Sequence, residues 1–336
     1  MKSSLATLIL VSLTTLTAVA ATEENIHQTQ SAKPGGKLVV DVDFGSITVS
    51  PGDNDKVVVD AHRKIESSSK EKEEEYFKAV PVTVTTEGDT VVVRARRKNK
   101  SLGSQLWNLL GRTSTEGRYT VRAPATFNTD LQTAGGDVSA NGLTGTVKVG
   151  TSGGDLNFER IHGPIDAETS GGDITVTACE GTLDVETSGG RIEATGGSGS
   201  LRAQTSGGSV TVANFAGDTK VESSGGRLRL ANISGKLSGE TSGGAIDAIL
   251  SSPVAGDVRL ETSAGAIRVL APTNAALTLD AETSAGDVTS DFPTARTQAS
   301  RDSLKGTING GGKTLVLRTG AGSIGIASAD KETAQQ

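Results

Sequence analysis

The chain has 336 residues, a formal net charge of −6, 43 glycines and only 3 % aromatic residues. The acidic balance argues against a nucleic-acid-binding protein, which needs a basic face, and the scarcity of aromatic rings argues against a sugar-binding cleft or a conventional enzyme core. Cys179 is the only cysteine, so an intrachain disulfide is excluded.

Residues 1–20 have the pattern of a secretory signal peptide. A basic residue, Lys2, precedes an apolar run that ends in the small-residue sequence A-V-A. We therefore predict cleavage after Ala20 or Ala21 and export of the mature chain to the periplasm, the cell envelope or the medium. A retained N-terminal anchor is the alternative interpretation.

Residues 21–130 are predicted to form a linker and a β-rich cap that precede a repeat region. Residues 21–32 are polar and predict a linker. Residues 33–130 contain short alternating apolar stretches separated by turn signals such as P-G-D-N, which predict a β-rich cap with irregular first coils. Such a cap protects an open sheet end, whose unpaired backbone groups invite association.

One apolar cluster lies outside these alternating stretches, at Leu102–Leu110. Three of its leucines have helical spacing, so the cluster is either an anchor for a membrane surface or partner, or a short helix that plugs the end of the fold. No other helix is predicted, and the charged stretch 64–78 is interpreted as an addition specific to this chain.

Residues 131–290 contain a T-S-G-G-like motif that recurs every 18 residues and later every 21. Between the motifs, apolar residues form two short alternating patterns per repeat, which indicate two strands. The Thr or Ser that opens each copy is Thr133, Thr151, Thr169, Thr187, Thr205, Ser223, Thr241, Thr262 and Thr283, and a further copy opens at Thr319, 36 residues later.

A two-strand unit cannot bury an apolar face alone, but stacked copies can. We therefore predict an all-β fold: a β-solenoid, parallel β-helix-like, of about ten coils with an N-terminal β-rich cap. The glycine pair is predicted to turn each coil at positive φ, and Cys179 is predicted to pack in an aliphatic corner. Residues 291–313 predict a looped-out insertion, 314–327 the last coil and 328–336 a disordered tail.

Asp137, Asp155 and Asp173 occupy equivalent positions in three successive repeats. Stacked carboxylates repel, and a divalent cation with oxygen ligands would relieve that repulsion. Alternatively, the carboxylates face water and Arg191 supplies the counter-charge. The second interpretation is favoured, because calcium-binding β-rolls use a nonapeptide denser in aspartate; no metal or cofactor is predicted.

A second acidic set recurs in equivalent positions of the repeats. It is either a recognition stripe for a cationic partner or a solvated face that prevents aggregation. Gln204 interrupts it and Arg318 is predicted to end it. Its members are Glu168, Glu186, Glu222, Glu240, Glu261 and Glu282.

The T-S-G-G-[DRSA]-[ILV] repeats, preceded by P-G-G-K-L-V-V-D-V-D-F-G-S-I-T-V at Pro34–Val49, resemble the bacterial "putative adhesin" β-strand-repeat domain family of unknown function. The resemblance covers residues 33–327. It implies a β-helix-like fold, an envelope or exported location and an adhesin-like role. The family has no agreed catalytic or ligand residues to transfer, and the break at 291–313 departs from its pattern.

These observations predict a non-enzymatic exported scaffold or binding protein that presents polar columns to an envelope or extracellular partner, either protein or polysaccharide. The alternative is a polysaccharide lyase or glycosidase, which needs carboxylates or basic groups converging on one groove. Because the charges recur singly along columns, no catalytic residue is predicted. Neither a cofactor nor a nucleic-acid partner is expected, and membrane contact is expected only through Leu102–Leu110.

Overall fold

The computed structural model describes residues 21–67, 69–96 and 114–329. The predicted signal peptide, the cluster at Leu102–Leu110 and residues 330–336 of the predicted tail lie outside the described residues. Within the described ranges, no helix is both long and apolar enough to cross a membrane.

The described residues form two long β-sheets and one helix, α1 (Lys70–Ala79), with strands numbered in chain order. The first sheet contains, in spatial order, β1 (Thr22–Ser31), β4 (Lys56–Glu66), β7 (Ser114–Ala123), β3 (Ser46–Pro51), β9 (Val138–Asn141), β11 (Leu156–Glu159), β13 (Ile174–Thr177), β15 (Ile192–Thr195), β17 (Val210–Ala213), β19 (Leu228–Ala231), β21 (Ile246–Ile249), β23 (Ile267–Ala271), β29 (Ile324–Ser328) and β25 (Val288–Ser290). The second contains β26 (Thr294–Ala299), β27 (Ser303–Ile308), β24 (Leu277–Ala285), β28 (Lys313–Ala321), β22 (Val258–Ala264), β20 (Leu237–Thr241), β18 (Ala216–Ser223), β16 (Ser198–Thr205), β14 (Glu180–Thr187), β12 (Ile165–Thr169), β10 (Val147–Thr151), β8 (Asn128–Thr133), β2 (Lys37–Val42), β6 (Thr90–Ala95) and β5 (Thr83–Glu87).

Equivalent strands of successive repeats pair in parallel and in register. Leu156 of β11, for example, lies between Val138 of β9 and Ile174 of β13. The apolar columns of both sheets and the corner column that includes Cys179 belong to one buried core. The predicted all-β, β-solenoid-like fold is therefore confirmed.

The opening hydroxyl of each T-S-G-G copy joins neighbouring coils. Thr187 Oγ1 donates a hydrogen bond to the carbonyl oxygen of Gly172, one coil earlier, at 2.9 Å. It also accepts the N–H of Gly190 in its own turn at 3.2 Å. The same pair of bonds recurs at Thr169, Thr205, Ser223 and Thr241. The period of the motif is therefore the period of this buried ladder.

The glycine pair is required for a different reason from the one predicted. Gly189 and Gly190 are not among the residues with positive φ. A Cβ on Gly190 would lie 1.9 Å from the carbonyl oxygen of Gly172, whereas a Cβ on Gly189 would meet nothing closer than 3.6 Å. The expectation of positive φ is wrong for this pair, because close approach of stacked backbones is what excludes a side chain at the second glycine.

Positive φ occurs at the second motif glycine in other copies, such as Gly136 and Gly286, but it recurs mainly at the opposite corner. Gly199 and Gly217 have φ of +117° and +149°, values that glycine reaches without steric cost. Two residues of the same corner, Ala178 and Arg160, have φ of +52° although they carry side chains. The corner column beside them is buried, as predicted from its apolar pattern.

The N-terminal end differs from the sequence-based prediction. The predicted linker at 21–32 contains β1, which pairs antiparallel with β4 over its whole length. A strand with one face in solvent can be largely polar. The prediction of a linker from the polar composition of residues 21–32 is therefore wrong. The charged stretch 64–78 contains α1, whose acidic first turn and basic last turn complement the helix dipole.

The C-terminal end also requires a correction. The predicted looped-out insertion at 291–313 contains the antiparallel pair β26 and β27, and β27 pairs with β24. The predicted last coil, β28 and β29, lies between the coil of β22 and β23 and the coil of β24 and β25. It is last in the chain but internal in the stack.

Candidate functional site

The outer face of the second sheet carries the predicted acidic set as one straight column. Parallel register places Glu168 beside Glu186, Glu222 beside Glu240, and Glu240 beside Glu261. Arg318 lies between Glu261 and Glu282, and not at the end of the column as the sequence order predicted. We call Glu168, Glu186, Glu222, Glu240, Glu261 and Glu282 the acidic column.

Three members of the acidic column are paired with cations. Lys220 Nζ lies 2.7 Å from Glu222 Oε1, Arg259 Nη2 lies 2.5 Å from Glu261 Oε1, and Arg318 Nε lies 3.8 Å from Glu282 Oε2. The hydrogen bond from Lys220 lowers the pKa of Glu222. Glu222 and Glu261 are therefore each balanced by a close cation, whereas Arg318 lies closer to Asp280, at 2.5 Å, than to Glu282.

The other three members are not compensated in this way. Within the described ranges, no ion pair involves Glu168, Glu186 or Glu240. In a parallel sheet the strands lie about 4.8 Å apart, so Glu168 and Glu186 place two like charges side by side. Like charges directly opposite each other destabilise a sheet, and a cationic partner would relieve this repulsion.

Hydroxyl groups line the groove beside the acidic column. A groove of about 280 Å³ is lined by Glu186, Glu222 and Glu240 together with Ser206, Ser224 and Ser242. A second groove of about 540 Å³ continues past Glu240 to Glu261, Glu282 and Arg318. The serine that follows each opening Thr or Ser thus forms a row of donors and acceptors parallel to the carboxylates.

A larger groove lies on the other side of the same face. It has a volume of about 660 Å³ and is lined by Arg202, Lys220 and Arg259, with Asp184, Asp218 and Asp257 among its other residues. Lysine and arginine stems contribute apolar surface while their charged heads remain in water. The face therefore presents a mixed-charge track next to a carboxylate and hydroxyl track.

Asp137, Asp155 and Asp173 form an aspartate ladder, in which each carboxylate accepts a backbone N–H of the next coil. Asp137 Oδ1 accepts the N–H of Asp155 at 2.9 Å, Asp155 Oδ1 accepts that of Asp173 at 2.8 Å, and Asp173 Oδ1 accepts that of Arg191 at 2.7 Å. The bond from the Arg191 backbone lowers the pKa of Asp173. No group of three or more metal-ligating side chains that could hold an ion occurs among the residues described.

Two further residues with potentially reactive side chains, Cys179 and His162, occupy ordinary structural positions. Cys179 is buried, and burial raises the pKa of its thiol, which disfavours the nucleophilic thiolate. His162 is exposed, with Nδ1 3.1 Å from Glu180 Oε2 in the next coil. Neither residue joins the acidic column.

Sequence reasoning missed the aspartate ladder and the pairing within the acidic column. The aspartate ladder had a signal, because an Asp follows the glycine pair in three successive repeats and can reach the next backbone N–H. The pairing depends on which strands are neighbours. Arg318 follows Glu282 in the chain, yet the structure places it between two glutamates.

Comparison with known proteins gives a family match and distant structural likenesses. A solved structure described as a "putative adhesin" from Bacteroides fragilis NCTC 9343 is 13 % identical, with 91 % of this chain and 97 % of that chain covered and a TM-score of 0.31. A "putative lipid binding protein" from Parabacteroides distasonis ATCC 8503 is 11 % identical, with coverages of 91 % and 96 % and a TM-score of 0.28.

No curated protein matches the chain. A family model does match part of the chain. The matched region begins at the corner glycine Gly181 and ends in β29. The resemblance predicted from the repeats is therefore confirmed: over residues 181–327, this chain matches the Toastrack DUF4097 family.

Proposed function

We propose that this protein is a non-enzymatic, exported scaffold of the cell envelope whose acidic column binds a cationic or mixed-charge partner. The observation that carries the proposal is the in-register column in which Glu168, Glu186 and Glu240 lack a cationic partner among the described residues. A parallel stack keeps such groups at a constant spacing, so the face suits an extended partner, either protein or polysaccharide.

Export and envelope location are the second part of the proposal. They are supported by the basic start, short apolar run and small-residue end of residues 1–20. A lone buried cysteine is also compatible with an oxidising compartment, since it has no second thiol to pair with.

A polysaccharide-acting enzyme remains the alternative, and no observation favours it. Glycosidases use a pair of carboxylates that flank the scissile bond in a cleft. In the described residues the carboxylates of the acidic column recur one per coil along a sheet face, and the thiol of Cys179 is buried. Incubation with acidic polysaccharides should therefore release no reducing ends and no unsaturated product; turnover would overturn the scaffold proposal.

The binding proposal is tested by capture from the envelope fraction of the source cells. The wild-type mature chain is compared with the triple variant Glu168→Gln, Glu186→Gln and Glu240→Gln. We expect the variant to lose the captured partner. The binding should also weaken as salt is added, because salt shortens the distance over which exposed charges attract, which is about 8–10 Å near physiological ionic strength.

A second triple variant controls for the loss of three charges. Glu74→Gln, Glu75→Gln and Glu193→Gln change exposed carboxylates of α1 and of the other sheet, away from the acidic column. This control should retain the partner. Equal capture by all three proteins, or equal loss in both variants, would contradict a role for the acidic column.

A further inference from the structure

A buried carboxylate without a cationic partner among the described residues lies next to the N-terminal strand β1. Glu73 of α1 is only 1 % exposed, and no lysine or arginine of the described residues forms an ion pair with it. The nearby Arg63 is already used by Glu24. Burying an ionised carboxylate without a counter-charge is costly, so the missing cation calls for an explanation.

The hydrogen bonds of Glu73 show which groups surround the buried carboxylate. Its Oε2 accepts the backbone N–H of Thr22 at 3.1 Å and the hydroxyl of Thr22 at 2.6 Å. Its Oε1 accepts the N–H of Ser67 at 2.6 Å. Burial alone raises the pKa of Glu73, but these bonds outweigh burial and leave the pKa lowered. The carboxylate is therefore ionised, and two of its three hydrogen bonds come from one residue, Thr22.

That residue follows one of the two predicted cleavage positions. Residues 19–21 read V-A-A, which ends in small residues as leader cleavage requires. We propose that the mature chain begins at Thr22 and that its α-ammonium group forms a buried ion pair with Glu73. Cleavage after Ala20 would instead leave the charge one residue away from the carboxylate.

The chemistry of the step is peptide hydrolysis by an export leader peptidase. One water adds across the Ala21–Thr22 bond, which leaves a carboxylate on Ala21 of the released leader and an α-amino group on Thr22. An unperturbed α-amino group has a pKa of about 8, so it is mostly protonated at pH 7. Ion pairing with Glu73 would raise that pKa further.

The ion pair would fasten the edge strand of the first sheet, β1. β1 pairs with β4 from Thr22 opposite Ile65 to Ser31 opposite Lys56, and Thr22 is its first residue. Before cleavage the same nitrogen is a neutral amide with one N–H, whereas afterwards it is a cation with three. Removal of the leader would thus stabilise the cap on which the stack ends.

The inference rests on the export part of the proposed function, but the ion pair can be tested without export. One chain is produced to start at Thr22 and another to start with Gly-Ser-Ala before Thr22, each with Glu73 and with Glu73→Gln. We expect the chain that starts at Thr22 to melt about 2–4 °C higher than the extended chain. The difference should vanish in the Glu73→Gln pair and persist in a Glu74→Gln pair, since Glu74 is exposed on the same helix.

Reactivity of the α-amino group separates an ion pair from a general effect of the extension. Labelling of Thr22 by an amine-reactive reagent at pH 7.5 should be about tenfold slower with Glu73 than with Glu73→Gln, because one unit of pKa corresponds to tenfold. Equal labelling rates, or a melting difference that persists in Glu73→Gln, would overturn the ion pair.

The cleavage position is read from the chain exported by cells. N-terminal sequencing and intact mass of the processed protein should give Thr22 as the first residue. Processing at another position would overturn the inference while leaving the export proposal intact. An uncleaved chain in the cytoplasm would overturn export, whereas the stability and labelling results would still decide whether Glu73 can pair with an N-terminal ammonium.

Discussion

At the scale of single residues, the repeat is held by a hydroxyl and a glycine with separate tasks. Thr187 joins the carbonyl of Gly172 to the N–H of Gly190, and it is 1 % exposed. A buried polar group without a partner is costly. A hydroxyl is therefore needed at this position of each coil, and the backbones of neighbouring coils must lie within hydrogen-bond distance of it.

The two glycines of one motif should respond differently to the same substitution. Gly190→Ala places a Cβ 1.9 Å from the Gly172 carbonyl oxygen, so the coils must separate locally, at a cost of about 1–3 kcal/mol or more. Gly189→Ala meets nothing within 3.6 Å and should cost under about 1 kcal/mol. Urea unfolding measures both, and equal losses would refute the stacking explanation.

The corner opposite the glycine pair contains strain that a substitution can remove. Ala178 is exposed and has φ of +52°, a conformation that costs a residue with a side chain about 1–2 kcal/mol. Asn tolerates this conformation, and Asn214 and Asn232 adopt it in later coils. Ala178→Asn should therefore stabilise the protein by up to about 1 kcal/mol.

A neighbour provides the control for this stabilisation. Thr177, the preceding residue, is not among the residues with positive φ. Thr177→Asn therefore relieves no backbone strain and removes a β-branched side chain from β13, so it should be neutral or destabilising. A gain of equal size in both variants, measured as a shift in melting temperature, would show that backbone strain is not the cause.

Single residues also show where sequence-based prediction succeeds and fails. The alternation of polar and apolar residues specified which side chains are buried, because a strand alternates its faces strictly. The reason for the glycine pair could not be predicted, since the distance between Gly190 and Gly172 depends on two coils. Likewise, the partner of Glu73 depends on a strand predicted as a linker.

At the scale of elements, the aspartate ladder ties the starts of successive strands in the first sheet. Asp155 accepts the N–H of Asp173, the residue before β13. Asp155→Ala removes that acceptor and should cost about 1 kcal/mol, whereas Asp155→Asn keeps an oxygen and should cost less.

Calcium at millimolar concentration should raise the melting temperature of the wild type no more than sodium chloride of equal ionic strength. A calcium-specific rise that Asp155→Asn abolishes would contradict this structural role.

The same ladder predicts a loss of stability in acid. Backbone and side-chain hydrogen bonds from Arg191 hold the pKa of Asp173 below its ordinary value, so its folded pKa lies below its unfolded pKa. Its contribution is present above about pH 4, the unfolded value, and is lost as the pH falls through the folded pKa. Comparing unfolding at pH 5 and pH 3 should show a smaller acid loss in Asp173→Asn than in the wild type. An unchanged loss would contradict the assignment.

At the scale of the whole molecule, chain order and stacking order differ at the C-terminal end. The repeat period predicted one coil after another, and most of the stack follows that rule. It fails where β28 inserts between β22 and β24. The two candidate neighbours of β28 have equivalent column patterns, with Leu260 and Ala281 both inward-facing and buried. Local pattern therefore cannot decide the order, and only the closed end formed by β27 on β24 does.

This insertion makes a testable statement about which end of the chain opens first. β28 has a parallel partner on each side, whereas β26 pairs only with β27 and forms the edge of the second sheet. The backbone amides of an edge strand exchange their hydrogens when the strand frays locally. The amides of an internal strand exchange only when a larger part of the sheet opens. We therefore expect native-state hydrogen exchange to be slower in Leu315–Leu317 of β28 than in β26, although β28 lies closer to the C-terminus. Protection that declines steadily from β22 through β24 and β26 to β28 would mean that the last coil stacks at the end, and the inserted order would be wrong.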